Sequence, residues 1–407
     1  MSDSNNPLAA ENTLLTEASQ KPLLSRWGTF AKLSGPGWLQ GAITLGGGSL
    51  AGSLYIGVIG GYELLWLQPL MMIFGVLMLS VIGYVTLSTG EKPFRAINKH
   101  INPVLGWGWL IAAMLANLVW AMPQFSLGTA AIQQNFGILD GAYGKYICAL
   151  LLFVIGSAVV WSYDSGSKGI KAFEIILKIM VAVVVVSFFG VVVVMSGSLD
   201  WGAIFAGFIP NFSLLSEPAS KFTEIIKESS DPGYWNDVIL SSQRDRMVTA
   251  AATAVVGINM TFLLPYSMLR KGWGRAHRGL ATFDLSLGLF LPFFLATTCV
   301  VIASASQFHG KYDEGLLDPA KRTALTEKLQ DAYGKNLSGI QAKLGEAKEP
   351  NDTDKQLAAM LVSRDAFQLA GSLENLTGNK AVSQTVFGIG VLGMAVSTII
   401  ILMLING

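Results

Sequence analysis

Two polar interruptions inside apolar stretches are the places where this sequence could do chemistry. The first is the run TLGGGS at residues 44–49, and the second is the segment 257–265, which carries Asn259 and ends at Pro265. Three consecutive glycines cost a helix roughly 3 kcal/mol relative to alanine, and a proline removes a backbone donor, so each segment predicts a broken helix. A broken helix frees backbone carbonyls and exposes half-helix ends, both of which can coordinate a solute.

Both interruptions also have purely structural interpretations, which the sequence leaves open. The glycines could allow close helix packing, Asn259 and Thr261 could hydrogen-bond between helices, and Met260 could fill the core. If the breaks do form a binding site, we expect six residues to line it, with the glycines contributing carbonyl oxygens: Gly46, Gly47, Ser49, Asn259, Met260 and Thr261. The sequence shows no Ser/His/Asp set, phosphate-cradling loop or paired carboxylates, so we do not expect an enzyme.

The composition is that of a membrane protein. Of the 407 residues, 52% are hydrophobic and 14% are charged, whereas a soluble domain carries about 25% charge. The net charge of +1 gives no basic field for nucleic acid. Cys148 and Cys299 lie in apolar runs and are expected to be buried, and no cofactor is expected. Eight stretches are long enough to cross a bilayer, and they are 35–59, 64–87, 104–134, 146–163, 172–197, 247–269, 280–308 and 381–405.

The loops between these stretches sort by charge. Four alternate segments, which are 1–34, 88–103, 164–171 and 270–279, together carry twelve Lys and Arg against five Asp and Glu. The positive-inside rule places these segments in the cytoplasm, with the N-terminus, and the expected location is the plasma (inner) membrane. Residues 1–34 have no signal-peptide pattern and predict a disordered polar tail.

The spans predict two related halves. Five spans precede the sixth, and an odd number inverts the second copy, so spans one and six should be equivalent helices of an inverted repeat. The expected organisation is a cytoplasmic tail, a first five-helix repeat, an outer loop, spans six and seven, an outer helical insert that contains a helix start at Asp318-Pro319, and span eight. Their respective bounds are 1–34, 35–197, 198–246, 247–308, 309–380 and 381–407.

Few titratable groups lie within the spans. Glu174 and Lys178 are spaced i, i+4 and predict an intrahelical ion pair, and Asp284 is expected to pair with the basic loop 270–279. The three histidines are His100, His277 and His309, and we expect all of them to be solvated. This pattern argues against a proton relay.

Several short motifs, in this order over seven spans, resemble the Nramp family of divalent-metal transporters. The resemblance covers about residues 30–407 and implies the LeuT-type fold, an all-α inverted-repeat membrane architecture. The motifs that carry it are Gly35-Pro36-Gly37-Trp38-Leu39, Tyr62-Glu63-Leu64-Leu65-Trp66, Thr89-Gly90-Glu91, Gly128-Thr129-Ala130, Arg278, Phe283-Asp284-Leu285, Phe308-His309 and Phe387-Gly388-Ile389-Gly390.

The sequence departs from that family at its metal-binding motifs. The family's Asp-Pro-Gly-Asn is replaced by the glycines and Ser49 at residues 46–49, so the carboxylate is absent. Its Met-Pro-His falls on Thr261-Phe262-Leu263, unless Met260 supplies the thioether after a shift of one residue. Its acidic proton-relay positions fall on Met122 and Phe125. The resemblance then implies four metal ligands, namely Gly46, Ser49, Asn259 and Thr261.

These departures predict an altered substrate preference. Without a thioether the site should favour a hard cation such as magnesium, or lose metal selectivity, with proton coupling weak or absent. The alternatives are a LeuT-type transporter of a small organic or monovalent solute, and a non-transporting membrane protein whose outer insert binds a partner. LeuT-type folds have ten core helices and only eight are found here, so the fold is expected to be incomplete at its C-terminal side.

Overall fold

The structure is a computed structural model that describes residues 7–163, 165–345, 348–377 and 380–406. These residues form helices and turns without a β-strand. The helices, in chain order, are α1 (Pro7–Ser19), α2 (Leu23–Leu33), α3 (Pro36–Thr44), α4 (Gly47–Gly60), α5 (Leu67–Thr89), α6 (Pro93–His100), α7 (Pro103–Ala130), α8 (Gly144–Tyr163), α9 (Ser167–Met195), α10 (Trp201–Ala206), α11 (Ser220–Ile226), α12 (Pro232–Ala254), α13 (Ile258–Arg270), α14 (Arg278–Leu285), α15 (Leu291–Phe308), α16 (Glu314–Leu317), α17 (Ala324–Leu344), α18 (Asp352–Met360), α19 (Ala366–Thr377) and α20 (Lys380–Asn406).

The predicted spans are present. Within the described residues, seven helical segments are long and apolar enough to cross a membrane, and α3 with α4 forms an eighth that is bent by 55°. These segments coincide with the eight stretches expected from hydropathy. An all-α, multi-pass membrane fold is therefore confirmed.

Both predicted helix breaks are present. α3 ends at Thr44 and α4 begins at Gly47, because Leu45 and Gly46 leave the helical conformation. α12 ends at Ala254 and α13 begins at Ile258, with an extended segment between them. Pro265 lies inside α13 rather than at the break, so the second break is positioned by the extended segment that ends at Gly257.

The bent pair lies in the centre of the bundle. A Cβ on Gly57 of α4 would stand 2.0 Å from Ser304 Oγ of α15, and a Cβ on Gly41 of α3 would stand 2.1 Å from the carbonyl oxygen of Gly288. Real Cβ atoms never approach so closely, so both halves pack backbone against neighbouring helices. The absence of side chains at these glycines is what places the break among the other spans.

The basic segments meet at one end of the bundle, which we call the inner face. Arg275 Nε donates to the carbonyl oxygen of Ser88 at 2.9 Å, and Trp273 Nε1 donates to Glu11 Oε1 at 3.0 Å. Arg270 lies 4.2 Å from the ring centre of Tyr163. The alternate loops therefore share one side, as the charge pattern predicts, while the compartment they face stays a prediction.

Two predictions about charged residues at the inner face are wrong. Glu174 pairs with Lys271 at 3.0 Å rather than with Lys178, whose Nζ donates instead to the carbonyl oxygen of Ser34. Asp284 does not pair with the basic loop: its carboxylate accepts the backbone N–H groups of residues 35 and 37 at the start of α3. In each case a partner from a distant part of the chain lies closer than the one expected from local spacing.

The histidines also differ from expectation. His277 is buried, its Nδ1 accepts from the N–H of Gly274, and its ring stacks on Trp273. His309 packs edge-on against Phe222. Of the three, His100 is exposed as predicted, beside Glu91.

The polar N-terminal tail and the outer segments contain more helix than the sequence suggests. Residues 7–19 and 23–33 are helical rather than disordered, and residues 1–6 lie outside the described part. On the outer side, α12 begins at Pro232, where Asp231 caps it, so the helix of span six starts within the expected outer loop. The helix start expected at Asp318-Pro319 is present as a short 3₁₀ helix, Pro319–Lys321, which Asp318 caps. The longer helix α17 begins at Ala324 with Thr323 as its cap.

Candidate functional site

A small central cavity lies between the two helix breaks. Its volume is about 90 Å³. The side chains and backbone that line it come from α3, α4, α7, α12, α13, α20 and the two breaks. The lining residues are Ile43, Thr44, Gly46, Gly48, Ser49, Trp120, Gln124, Ala252, Thr253, Val255, Gly257, Asn259, Met260, Thr398 and Leu402.

The first break contributes backbone and one hydroxyl. The N–H of Gly46 donates to Ser49 Oγ at 3.2 Å, and this hydroxyl donates back to the carbonyl oxygen of Gly46 at 2.9 Å. Ser49 thus caps the start of α4, which holds the positive end of that half-helix toward the cavity. Gly46 and Ser49 line the cavity as predicted, and Gly47 lies beside them.

The second break contributes an amide and a thioether. Asn259 Oδ1 accepts the N–H of Met260 at 2.9 Å, so the amide caps the first turn of α13. Met260 Sδ lies 3.3 Å from Thr44 Oγ1, which places sulfur at the contact between the two breaks. Met260 therefore brings a thioether sulfur to the cavity, at the position that the alternative alignment with a shift of one residue allows.

Thr261 lies outside this cavity. Its hydroxyl donates to the carbonyl oxygen of Ile258 and accepts from Trp109 Nε1, and it lines a separate, mostly apolar cavity of about 1020 Å³. Two residues along a helix rotate the side chain by about 200°, so Thr261 and Asn259 face opposite sides of α13. The structure does not bring Thr261 together with the other five predicted residues.

Sequence reasoning missed the amide that completes the cavity. Gln124 of α7 is buried, and its Oε1 accepts the N–H of Gly47 at 3.0 Å. An amide directly after Pro123 in an apolar span was the available signal. Met122, where the resemblance placed an acidic relay position, is 74% exposed on the outside of the bundle.

Two further cavity residues were missed because they carry hydroxyls in ordinary helical positions. Thr398 of α20 and Thr44 of α3 are separated by most of the chain, and both line the cavity. Trp120 closes one wall, since a Cβ on Gly48 would stand 3.1 Å from its ring. These contacts depend on the fold and leave no local pattern.

The donor set of the cavity is neutral. None of the lining residues is Asp, Glu, His or Cys, and the described part of the chain shows no group of three such residues that could hold a metal ion. The cavity offers amide and hydroxyl oxygens, the free carbonyls of α3 and one thioether. Such a set can bind a partly hydrated cation or a small polar solute.

The sequence profile of the family described as natural resistance-associated macrophage protein-like, Nramp, matches residues 37–340. The chain belongs to the Nramp family. This match covers the two breaks and seven of the eight spans, so the cavity lining lies within the matched region except for the two residues of α20.

Curated relatives of this Nramp chain are metal transporters by name. Metal transporter Nramp2 of Oryza sativa subsp. japonica is 26% identical over 176 residues, which is 42% of this chain and 31% of that protein. Manganese transporter pdt1 of Schizosaccharomyces pombe is 24% identical over 189 residues, or 46% of this chain and 35% of that protein. The matched region spans about a third of the length of each relative.

Solved structures agree with the fold. A histidine-to-alanine mutant of the Eremococcus coleocola manganese transporter superposes with a TM-score of 0.56 at 14% identity, covering 93% of this chain and 70% of that one. The same transporter with an aromatic bis-isothiourea substituted compound gives 0.54 at 13% identity, with the same coverage. The Nramp chain therefore has the LeuT-type fold that the resemblance implied.

Proposed function

We propose that this Nramp chain carries divalent metal ions across a membrane through the cavity between its two helix breaks. The observation that carries the proposal is the meeting of the breaks: Gly46, Ser49, Asn259 and Met260 come from segments about 210 residues apart and line one cavity. Two half-helix ends, free carbonyls and a midspan position are what a transported ion requires.

The ligands support a weak and partly hydrated binding mode. With neutral donors alone, removing a dication from water is not offset by a fixed negative charge, so several waters must stay bound. Gly46 carbonyl, Ser49, Asn259 and Gln124 are the oxygen ligands we propose. Thr261 is left out because it faces another cavity.

The thioether of Met260 bears on which metal is preferred. The expected preference for magnesium rested on the absence of a soft ligand at the site. Met260 Sδ at the contact between the breaks favours manganese over magnesium, because sulfur selects the softer transition metals. The missing carboxylate lowers affinity for both ions.

A direct test is metal uptake by proteoliposomes that contain the full chain. Manganese, magnesium and calcium would be compared with a pH-sensitive dye inside. We expect manganese uptake without internal acidification, and a larger loss of manganese than of magnesium uptake in Met260→Leu. Met268→Leu is the matched control, since Met268 is a buried methionine on the same helix away from the cavity.

Three outcomes would contradict parts of this proposal. Absence of flux for all three metals excludes transport by this chain. Equal fluxes in Met260→Leu and the wild type exclude the thioether from the site. Manganese flux with stoichiometric acidification would contradict the expectation of weak proton coupling.

A second candidate is transport of a small carboxylate-bearing or neutral solute. The observation that favours it is the neutral cavity beside the N-terminus of α4, which can hold an anionic group. A cavity of about 540 Å³ toward the inner face adds Lys92 and Arg270. Uptake of labelled small carboxylates, in the absence of metal flux, would support this candidate over the first.

We propose that the chain lies in the plasma (inner) membrane. Its inner face and its N-terminus then face the cytoplasm. The support is the gathering of Lys and Arg at that face. Labelling of a cysteine introduced at Lys99, which is exposed on α6, by an impermeant reagent would test the orientation: protection in intact cells is expected.

A further inference from the structure

The cavity of about 1020 Å³ that Thr261 lines has an apolar body and a charged end, and we call it the side cavity. It lies between α5, α6, α7 and α13, apart from the central cavity. Of its 17 lining residues 11 are apolar and three are threonines. The remaining three are Glu91, Lys99 and His100, which belong to the loop before α6 and to the last turn of α6. The charge is therefore confined to one end.

The side cavity is about as deep as one leaflet of a bilayer. It follows α5 from Thr89, in the last turn, back to Met78. These 11 residues advance the helix by about 16 Å, and half of a hydrocarbon core is about 15 Å thick. Val81 and Val85 line the cavity and are 64% and 54% exposed, so the cavity opens sideways toward lipid.

Aromatic side chains mark the charged end as the headgroup level. Trp107 is exposed at the start of α7 and packs against Phe94 of α6. Tyr84 is exposed in the last part of α5, under the guanidinium group of Arg278. Tryptophan and tyrosine gather where a membrane meets water. The apolar body of the side cavity thus extends from this level toward the middle of the bilayer.

The charged end carries more bases than acids. Lys99 Nζ and His100 Nε2 lie 3.4 and 3.1 Å from the two carboxylate oxygens of Glu91, and both basic side chains stay more than half exposed. Arg275 reaches the same end, since its Nε donates to the carbonyl oxygen of Ser88, next to Thr89. Two cations and a histidine therefore face one carboxylate, which favours an anionic headgroup.

No single simple ligand suits both parts of the side cavity. A soluble anion would use the basic end and leave the apolar body unfilled. An uncharged acyl chain would fill the body and leave the basic end unused. A molecule with a phosphate at one end and a chain of one leaflet's depth suits both.

We propose that the side cavity binds an anionic phospholipid, with its phosphate at Lys99 and Arg275 and one acyl chain along α5. The chain then reaches Val256 and Ile258, which lie at the second helix break. A bound lipid therefore packs against the first turn of α13 from the side opposite to Asn259. This binding does not depend on the transport of any ion.

The test is quenching of tryptophan fluorescence by brominated lipid in the full chain, reconstituted in phosphatidylcholine vesicles. Bromine quenches a tryptophan that it contacts, and Trp109 lines the side cavity. The brominated lipid is phosphatidylglycerol or phosphatidylcholine, with the same acyl chains and at low mole fraction. The quenching that is lost in Trp109→Phe belongs to Trp109. We expect phosphatidylglycerol to quench it at about fivefold lower mole fraction, the effect of one basic residue near an anionic lipid.

Charge variants test the headgroup contact. Lys99→Gln removes a cation and should abolish most of the preference for phosphatidylglycerol, whereas Glu91→Gln removes the opposing carboxylate and should increase it. Lys171→Gln is the matched control, because Lys171 is an exposed lysine near the start of α9, away from the side cavity, and its removal should leave the preference unchanged.

A filled cavity tests the acyl chain. Ala96 is half-buried and lines the side cavity, so Ala96→Leu should reduce the quenching of Trp109 by both lipids. Ala112→Leu is the control, since Ala112 is exposed on α7 outside the cavity lining, and it should quench as the wild type does.

The proposal is overturned if the two lipids quench Trp109 equally in the wild type, or if Lys99→Gln keeps the full preference. It is also overturned if Trp109→Phe loses no quenching, because the lipid then binds elsewhere. Displacement of the brominated chain by soluble glycerol phosphate would overturn it too, since the site would then bind a free phosphate.

Discussion

Gln124 accepts a hydrogen bond from the backbone N–H of Gly47, and so joins α7 to the first residue of the half-helix α4 at 3.0 Å. This contact places an amide oxygen at the positive end of α4, where the protein could equally hold a carboxylate. The cavity is neutral partly because this position is Gln.

Replacing Gln124 by Glu should convert the cavity into a stronger cation site. The carboxylate keeps the oxygen that accepts from Gly47, and it adds the negative charge that a dication requires. We expect manganese affinity to rise by about tenfold or more, which corresponds to about 1.4 kcal/mol. Isothermal titration with Mn²⁺ would measure it.

Gln124→Leu is the matched variant, since it removes the acceptor with little change in volume. It should lower stability by about 1–3 kcal/mol, because the N–H of Gly47 loses its partner. If Gln124→Glu binds manganese no better than the wild type, the amide does not face the bound ion.

Gly46 and Gly47 should respond differently to a single methyl group. A Cβ on Gly46 would stand 2.7 Å from Thr398 Oγ1, whereas a Cβ on Gly47 would stand no closer than 3.3 Å to any atom. Gly46→Ala should therefore abolish uptake and lower the Tm, while Gly47→Ala keeps most of both. Equal activity of the two variants would show that the break is wider than the distances indicate.

The pair formed by Glu174 and Lys271 should be strongly coupled. Both side chains are largely buried, at 11% and 19% exposure, and the ammonium group contacts both carboxylate oxygens. Removing one partner leaves an unpaired charge, so Glu174→Gln or Lys271→Met alone should cost about 3–5 kcal/mol of unfolding free energy. The double variant should recover a large part of that loss.

A double-mutant cycle in chemical denaturation would measure this coupling. Lys178→Met serves as the comparison, because Lys178 binds a backbone carbonyl rather than Glu174. Additive losses for Glu174→Gln and Lys271→Met would contradict the pairing.

His309 should make the outer end sensitive to acid. Burial lowers the pKa of His309, although its hydrogen bond to the carbonyl oxygen of Val58 opposes the shift. Lys221 and Glu63 are the charged groups that face it, and Lys221 further disfavours the protonated ring.

The sign follows from which state binds the proton first. As the pH falls below about 6.5, the ordinary value for histidine, the unfolded chain is protonated before the folded one. Stability should therefore fall with pH from about 6.5 down to the lowered pKa and then level off. Tm measured from pH 8 to 5 would show this decline, and His309→Gln should flatten it; an unchanged profile in the variant would assign the decline to other groups.

The sequence was sufficient for the spans and the first break, because hydropathy and three successive glycines are local signals. It predicted the second break but not its position, since Pro265 lies inside α13. Gln124, Thr44 and Thr398 were missed because their meeting depends on helices that are far apart in the chain. The same reason explains why Glu174 was assigned to Lys178, its neighbour by one turn, when Lys271 provides a closer partner. Thr261 shows the reverse error, since adjacency to Asn259 along the chain does not give adjacency around a helix.

The length of α12 has a mechanical consequence. Its 23 residues run without interruption from the cap at Asp231, beside Trp235 and the outer helix α18, to the break at the cavity. A rod of this kind is about 35 Å long, so a tilt of roughly 5° at the break would carry its far end by about 3 Å. The outer end of α12 should thus move by a larger distance than the residues at the cavity when the cavity changes state. The distance between a pair of probes on α17 and α5 would report movements that are too small to detect at the site itself.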